Sequence, residues 1–275
     1  MLRKTNIIAE IGINHNGDIE LAKELIKLAK DTGCTYAKFQ KRTPDICVPE
    51  HQKNIIRDTP WGKITYLEYK KKIEFNQQQL EELYQYANHI GINLFASVWD
   101  LDSVDLMAKF TNIGKIPSAL ITDLELCAYA RKNFKTLIVS TGMSTQEEVD
   151  ECIRTCNPDV IMHTNSTYPC PTEDLNLNYI TFLKNKYPTK QIGYSGHELG
   201  LATTFATITL GAEWVERHVT LNKGMWGSDH NSSIGPQELY QLVSGIRDIE
   251  LATQYRMGPR MLFQKENIKK QSLRK

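Results

Sequence analysis

No run of uncharged apolar residues in this sequence approaches the length of a membrane-spanning helix, which argues against a helical span. The opening MLRKTNIIAEIG passes from charge to an apolar strand too quickly for a secretory signal. Cysteine is sparse and unframed, at Cys34, Cys47, Cys127, Cys152, Cys156 and Cys170. Cys152 and Cys156 have helical spacing, but no second pair completes a zinc quartet, so reduced thiols in a cytoplasmic protein are expected. Net charge is nearly absent, at +1, leaving no global attraction to nucleic acid or to a membrane surface. The exception is the end of the chain, where Arg256, Arg260, Lys265, Lys269, Lys270, Arg274 and Lys275 outnumber Glu266; it reads as a solvated helix or linker. No G-x-G-x-x-G follows the first strand, which weakens a dinucleotide-binding reading.

What is present is a regular alternation. An apolar strand at Asn6–Gly12 ends near a carboxylate, Glu10, and precedes a helix over Ile19–Thr32 with Asp18 as N-cap and Gly33 as its stop. Strand Tyr36–Gln40 carries Lys38 and Gln40 on one face. A long polar excursion follows, of the kind that forms lids and binding loops, before helix Gln77–His89. Strand–helix pairs then succeed one another: Asn93–Val98 with Asp102–Phe110, Gly114–Ser118 with Asp123–Asn133, and Thr136–Thr141 with Thr145–Thr155. The series continues with Val160–Asn165 and Glu173–Tyr187, then Gln191–Ser195 and Leu199–Leu210. The strand opening at Trp214, paired with helix Pro236–Leu251, closes it. Eight such units in a 275-residue chain predict a parallel sheet closed as a (β/α)8 TIM barrel, a single domain over residues 1–252 with a basic tail at 253–275.

The stretch WVERHVTLNKGMWGSD, Trp214 to Asp229, organises the chemistry. Strand alternation puts Glu216 and His218 on one face and Val215, Arg217 and Val219 on the other. With His197 from the preceding strand end, His218 makes a divalent-metal site. Active sites of such barrels lie at the C-terminal mouth, and polar residues collect at the strand ends there. They are Glu10, Lys38, Gln40, Ser97, Lys115, Ser118, Ser140, Thr141, His163, Thr164, Ser195, His197, Glu216 and His218. Two ammonium groups, Lys38 and Lys115, among hydroxyls suit a phosphate and a carboxylate. Glu10, Gln40 and Asp229 remain as acceptors for a hydroxyl-rich second substrate. The set points to condensation of a phosphorylated three-carbon unit with a sugar aldehyde, and does not separate that from a metal-dependent aldolase.

The segments IIAEIGINHNGDIELAKELI, AKFQ, TPWGKITYLEYKKKIEF, STGMST, IGYSGHELG and ERHVTLNKGMWGSDHNSS, in this order, resemble the sialic acid synthase family, N-acetylneuraminate synthase-like enzymes, over residues 6 to about 250. The resemblance implies condensation of phosphoenolpyruvate with an N-acylated amino-sugar, N-acetylmannosamine or a relative, to a nonulosonic acid and phosphate. It implies His197 and His218 as ligands of a divalent metal, Mn2+ first and Mg2+ or Co2+ as substitutes. It implies Lys38, Lys115, Ser118, Ser140, Ser166 and Ser195 as phosphoenolpyruvate contacts, and Glu10, Gln40, Tyr168 and Asp229 as sugar contacts. Glu216 is expected behind the metal ligands, orienting a bound water or His218. Glu10, Lys38, Lys115 and Glu216 form the expected catalytic set. A homodimer is the implied assembly.

Three departures qualify the match. Many members carry Ser-Thr-Pro where this chain has Ser97-Val98-Trp99, so a phosphate-binding hydroxyl is expected to be missing. The segment around Lys115 reads KIPSALITD, still keeping Lys115 and Ser118. The end, LFQKENIKKQSLRK, resembles the linker into a C-terminal antifreeze-like domain that contributes an arginine to the partner's sugar site. Two alternatives therefore stand beside the synthase. One is a non-catalytic barrel that binds phosphoenolpyruvate or sugar and partners a full-length synthase. The other is a related aldolase or sugar-acid synthase with another aldehyde.

Overall fold

A computed structural model describes residues 4–254 and 258–274. Strand β1 (Asn6–Gly12) runs into helix α1 (Ile19–Thr32), whose first turn is capped by the Asp18 carboxylate on the Glu20 and Leu21 amides. Gly33 ends it in a left-handed conformation, at φ 87°. Strand β2 (Tyr36–Lys41) leads into the polar excursion, which is folded rather than open. It holds helices α2 (Pro44–Cys47) and α3 (Glu50–Lys53), an antiparallel hairpin of β3 (Ile56–Thr59) and β4 (Gly62–Thr65), and helix α4 (Tyr66–Ile73). A reciprocal cap between Thr65 and Glu68 starts α4. Helix α5 (Gln77–Ile90) returns the chain to the barrel.

Five strand–helix pairs follow: β5 (Asn93–Val98) and α6 (Leu101–Met107), β6 (Ile113–Ile116) and α7 (Leu124–Asn133), β7 (Thr136–Ser140) and α8 (Gln146–Cys156), β8 (Val160–Thr164) and α9 (Asn178–Lys186), and β9 (Gln191–Gly196) and α10 (Ala202–Thr209). The last pair is β10 (Trp214–His218) and α11 (Pro236–Ala252); an outlying helix α12 (Gln264–Leu273) follows. Eight strands close into one barrel in the order β1-β10-β9-β8-β7-β6-β5-β2, with parallel pairing, as the alternation predicts.

The differences are local. Helix α9 begins at Asn178 rather than Glu173, because Thr172–Asp174 forms a separate 3-10 turn. Helix α10 begins at Ala202 rather than Leu199. Pro117 cannot donate to the ladder, so β6 stops at Ile116 and Ser118 opens a 3-10 turn beyond the strand. In the tail, α12 is exposed along its length, while Arg256 and Lys275 lie outside the described residues.

Side-chain alternation sorts the barrel into two cores. The outward face of the strands packs against the helices in one large cluster that includes Ile7, Ala9, Ile11, Ala37, Val98, Val139 and Val215. Inside, Ile8, Phe95, Ile138, Val160, Met162 and Trp214 form an apolar plug, with Trp214 stacked on Tyr36 at 5.4 Å between ring centroids. The plug closes the lower barrel. Inward positions nearer the C-terminal ends are polar and open to the mouth.

Candidate active site

Two residues on from the plug, each strand turns its next inward side chain into the cavity. Strand β1 supplies Glu10 after Ile8, β2 supplies Lys38 after Tyr36, β7 supplies Ser140 after Ile138, and β10 supplies Glu216 after Trp214. Register pairs Glu10 with Lys38 on one side and with His218 on the other. These side chains line a mouth cavity of about 550 Å³, together with Gln40, Lys115, Ser118, Ser166, Tyr168, Ser195, His197 and Asp229. Every residue expected to bind metal or substrate or to catalyse thus meets in one space.

The floor is a charge-balanced lattice. Lys38 Nζ lies 2.6 Å from Glu10 Oε2 and 3.6 Å from Glu216 Oε1, and donates to Ser97 Oγ at 2.8 Å. Lys115 Nζ donates to Glu216 Oε1 at 2.7 Å, and Ser195 Oγ donates to the same oxygen at 3.1 Å. All four ionisable side chains are buried. Burial disfavours the Glu216 carboxylate, yet Lys115 and Lys38 outweigh it and hold its pKa down at about 2. Burial raises the pKa of Glu10 despite Lys38, and Glu216 beside it adds to the rise. Burial, reinforced by Lys38, lowers that of Lys115. Burial likewise opposes charge on Lys38, but Glu10 and Glu216 reverse it and raise the pKa. Glu216 was expected to orient a metal-bound water or His218; its hydrogen bonds within the protein go to Lys115 and Ser195.

A second cluster is made of hydroxyls. The Gly142 amide donates to Ser118 Oγ at 3.1 Å. A side chain at Gly142 would lie 2.2 Å from Ser166 Oγ and 2.8 Å from Ser118 Oγ, so only glycine lets the two serines converge. Gly12, at φ 58°, plays the same part for the acceptor residues: a Cβ there would sit 3.3 Å from Gln40 Nε2 and Glu10 Oε1. Gln40 Nε2 donates to Glu10 Oε1 at 3.3 Å.

The histidines stand above the floor. Their ring centroids are 5.3 Å apart, and Tyr168 packs on His197 at 3.9 Å. His197 Nδ1 is hydrogen-bonded to the Asn165 carbonyl at 2.7 Å, which fixes the ring and leaves Nε2 free as a lone-pair donor. Burial, and His218 beside it, lower the pKa of His197 to about 3, so the ring is neutral at physiological pH. His218 Nδ1 is buried without a hydrogen bond, with Asp229 Oδ2 at 3.7 Å. Among the described residues no cluster of three or more His, Cys, Asp or Glu side chains has the geometry of a closed metal cage. Two imidazoles with an unpartnered buried nitrogen fit the donor set of an open metal site, in which the remaining positions would be left to substrate or water.

Four buried atoms of cavity-lining residues lack a hydrogen-bond or close ion-pair partner among the described residues: Trp99 Nε1, Ser140 Oγ, Glu216 Oε2 and His218 Nδ1. Buried polar atoms are normally satisfied, and such orphans around one space mark where a ligand makes bonds.

Not all strand-end residues belong here. His163 and Thr141 point outward, where His163 Nε2 meets the Leu175 carbonyl at 2.7 Å and Thr141 Oγ1 donates to the Met162 carbonyl at 3.3 Å. Val98 also points outward, into the helix-packed core, so the Ser-Val-Trp departure removes no cavity hydroxyl. Ser97 remains and binds Lys38. The residues missed are Arg42 and Lys70, both buried and both lining the cavity. The signal for Lys70 was its place on the buried stripe Tyr69, Lys70, Ile73 of α4.

Behind β9 and β10, Arg217 faces away from the cavity and is fully buried with Glu198, at 3.2 Å. It also donates to Thr204 Oγ1 at 2.7 Å and to the Glu198 carbonyl at 2.5 Å. Tyr194 Oη donates to the other Glu198 oxygen at 2.8 Å. This network anchors the turn that carries His197.

A model of the NeuB family matches residues 25–257. The chain belongs to the NeuB family. Among relatives within it, N-acetylneuraminate-9-phosphate synthase of Homo sapiens is 36% identical over 253 residues, covering 90% of this chain and 70% of that protein. N,N'-diacetyllegionaminic acid synthase of Campylobacter jejuni is 35% identical over 261 residues, covering 91% and 78%. The crystal structure of N-acetylneuraminic acid (sialic acid) synthetase from Leptospira borgpetersenii, in complex with citrate, superposes with a TM-score of 0.86 at 28% identity, over 98% of this chain and 93% of that one. A truncated 3-deoxy-D-arabino-heptulosonate 7-phosphate synthase from Thermotoga maritima shares the fold, with a TM-score of 0.68 at 16% identity, over 91% and 88%. Among the described residues of this NeuB-family chain, no helix is long and apolar enough to cross a membrane.

Proposed function

We propose that this chain is a nonulosonic acid synthase that condenses phosphoenolpyruvate with the open-chain aldehyde of an N-acylated amino-sugar and releases phosphate. The observation that carries the reading is the set of orphaned atoms Ser140 Oγ, Glu216 Oε2 and His218 Nδ1, which face one cavity above a floor of paired lysines and carboxylates. Family membership, with relatives named as synthases of N-acetylneuraminate 9-phosphate and diacetyllegionaminic acid, supports the reaction class.

In this reading Lys38 and Lys115 hold the phosphate and carboxylate of phosphoenolpyruvate, with the Ser118, Ser140, Ser166 and Ser195 hydroxyls around them. The lysines are already neutralised by Glu10 and Glu216, so a bound anion must share them. Burial and Glu216 favour a proton on Glu10 as the anion arrives. Glu10, Gln40, Tyr168 and Asp229 position the sugar. C3 of phosphoenolpyruvate then forms a bond to the aldehyde carbon, water adds at C2, and the C2–O bond breaks to release phosphate. As that bond breaks, the two ammonium groups stabilise the charge gathering on the leaving oxygens. His197 and His218 would hold a divalent metal, Mn2+ first with Mg2+ or Co2+ as substitutes, supplying Lewis-acid polarisation to the aldehyde oxygen. Purified protein with Mn2+, phosphoenolpyruvate and a panel of N-acyl hexosamines tests this: phosphate release that depends on an acceptor supports it, and none with any acceptor at high protein concentration overturns it.

A further inference from the structure

The floor of the cavity is balanced in charge, but its rim is not. Lys70 of α4 is more than nine-tenths buried, lines the cavity, and has no carboxylate within ion-pair distance among the described residues. Its ammonium lies 5.3 Å from the ring centroids of both Tyr66 and Tyr69. Beside it, Lys41 and Arg42 share one carboxylate: Lys41 Nζ is 3.0 Å from Glu74 Oε2, and Arg42 Nε is 3.0 Å from Glu74 Oε1. The Arg42 guanidinium is stacked at 4.3 Å on Trp99 and also lines the cavity. Lys41, Arg42 and Lys70 thus stand around Glu74, and Asp229 is a further acid whose charge acts on Lys70 without an ion-pair contact. A buried ammonium without a counter-ion is costly, and aromatic faces offset only part of that cost.

We propose that Lys70 and Arg42 form a second anion site at the rim, which takes the phosphoryl group of a phosphorylated N-acyl hexosamine acceptor. The inference rests on the function proposed above and narrows its substrate class. Relatives are named for both phosphorylated and unphosphorylated products, so family membership leaves the choice open. The chemistry at the rim decides it. Arg42 is held by Glu74 at Nε and by Gln40 Oε1 at Nη2, which leaves its Nη1 end; that end and the separate charge of Lys70 suit a dianionic phosphomonoester, and a neutral sugar end would leave Lys70 unpaired. Asp229, expected to hold sugar hydroxyls, lines the same cavity as Lys70, so an acceptor held there shares its space with the cation. Burial, and Arg42 next to it, lower the pKa of Lys70 to about 8, as expected of an ammonium held ready for an anion.

The test compares a 6-phosphorylated N-acyl mannosamine with the unphosphorylated sugar, in wild type and in Lys70→Gln and Lys70→Arg. Wild type should favour the phosphorylated acceptor by about 100-fold in kcat/KM. Lys70→Gln should collapse that ratio by at least tenfold, and Lys70→Arg should restore most of it. Equal use of the two sugars by wild type overturns the proposal, as does a ratio unmoved in Lys70→Gln. So does a Lys70→Gln effect confined to the KM for phosphoenolpyruvate, which would place the rim cations on the other substrate. Calorimetric titration of the two sugars into the full chain reads the same preference without turnover. A failure of condensation therefore counts against the function alone, and equal binding counts against the anion site.

Discussion

Lys115 and Glu216, 101 residues apart in sequence, meet at 2.7 Å across the full width of the barrel, from strands four places apart in the ring of eight. Both side chains are buried, so removal of one partner leaves the other uncompensated. Lys115→Met or Glu216→Leu should each cost about 3–5 kcal/mol in stability. The double variant should recover part of the loss. Urea denaturation of the three proteins reads this, and single costs that add without recovery would show that the two groups do not act as a pair.

The depth of the barrel was legible because strand alternation is strict. Ile8–Glu10, Tyr36–Lys38 and Trp214–Glu216 each place a plug residue and a site residue two apart, and the period puts both inside. His163 and Thr141 also stand at strand ends, but they fall on the outward phase of the same alternation. Arg42 and Lys70 were hidden for a different reason. Arg42 lies just past the end of β2, and Lys70 sits on the buried stripe of α4, whose period shows that it is buried but not that the helix lies over the mouth.

The metal assignment predicts a direct binding signal. Mn2+ at about 100 times its dissociation constant should stabilise the wild-type chain by about 2.7 kcal/mol, a shift of several degrees in Tm. His218→Ala and His197→Ala should each abolish the shift while keeping the far-ultraviolet circular dichroism of the barrel. His218→Ala should also lose turnover. An undiminished Mn2+ shift in either variant would remove that histidine from the metal site.

His15 gives the chain an acid sensitivity of known sign. It is buried, stacked on Phe75 at 4.3 Å, and takes a hydrogen bond on Nδ1 from the Gly17 amide. Burial lowers its pKa from 6.5 to about 3. Its contribution is complete above pH 6.5, because folded and unfolded chains are then both neutral at this position. Below that the unfolded chain takes up a proton that the folded one refuses, and stability falls by about 1.4 kcal/mol per pH unit towards pH 3. His15→Asn keeps an acceptor for Gly17 and cannot titrate. Its stability should fall less steeply by about one proton between pH 6 and pH 4, and identical slopes would exclude His15 as the source.

Behind the site, Arg217 depends on Glu198. Glu198→Gln leaves a guanidinium, 1% exposed, without its counter-charge, and about 3–5 kcal/mol of stability should be lost. A shift in the urea midpoint equivalent to less than 1 kcal/mol would mean that the Thr204 and backbone bonds suffice.

In the function proposed above, one cavity brings phosphoenolpyruvate and an amino-sugar aldehyde together and breaks the C2–O bond. The most direct measurement uses phosphoenolpyruvate labelled with 18O in the C–O–P bridge, with Mn2+ and an N-acyl hexosamine, phosphorylated or not. Phosphate should appear only with the acceptor present, one for each acceptor consumed, and should carry the bridging label. Phosphate without the label, or no acceptor-dependent phosphate from any sugar, would contradict it.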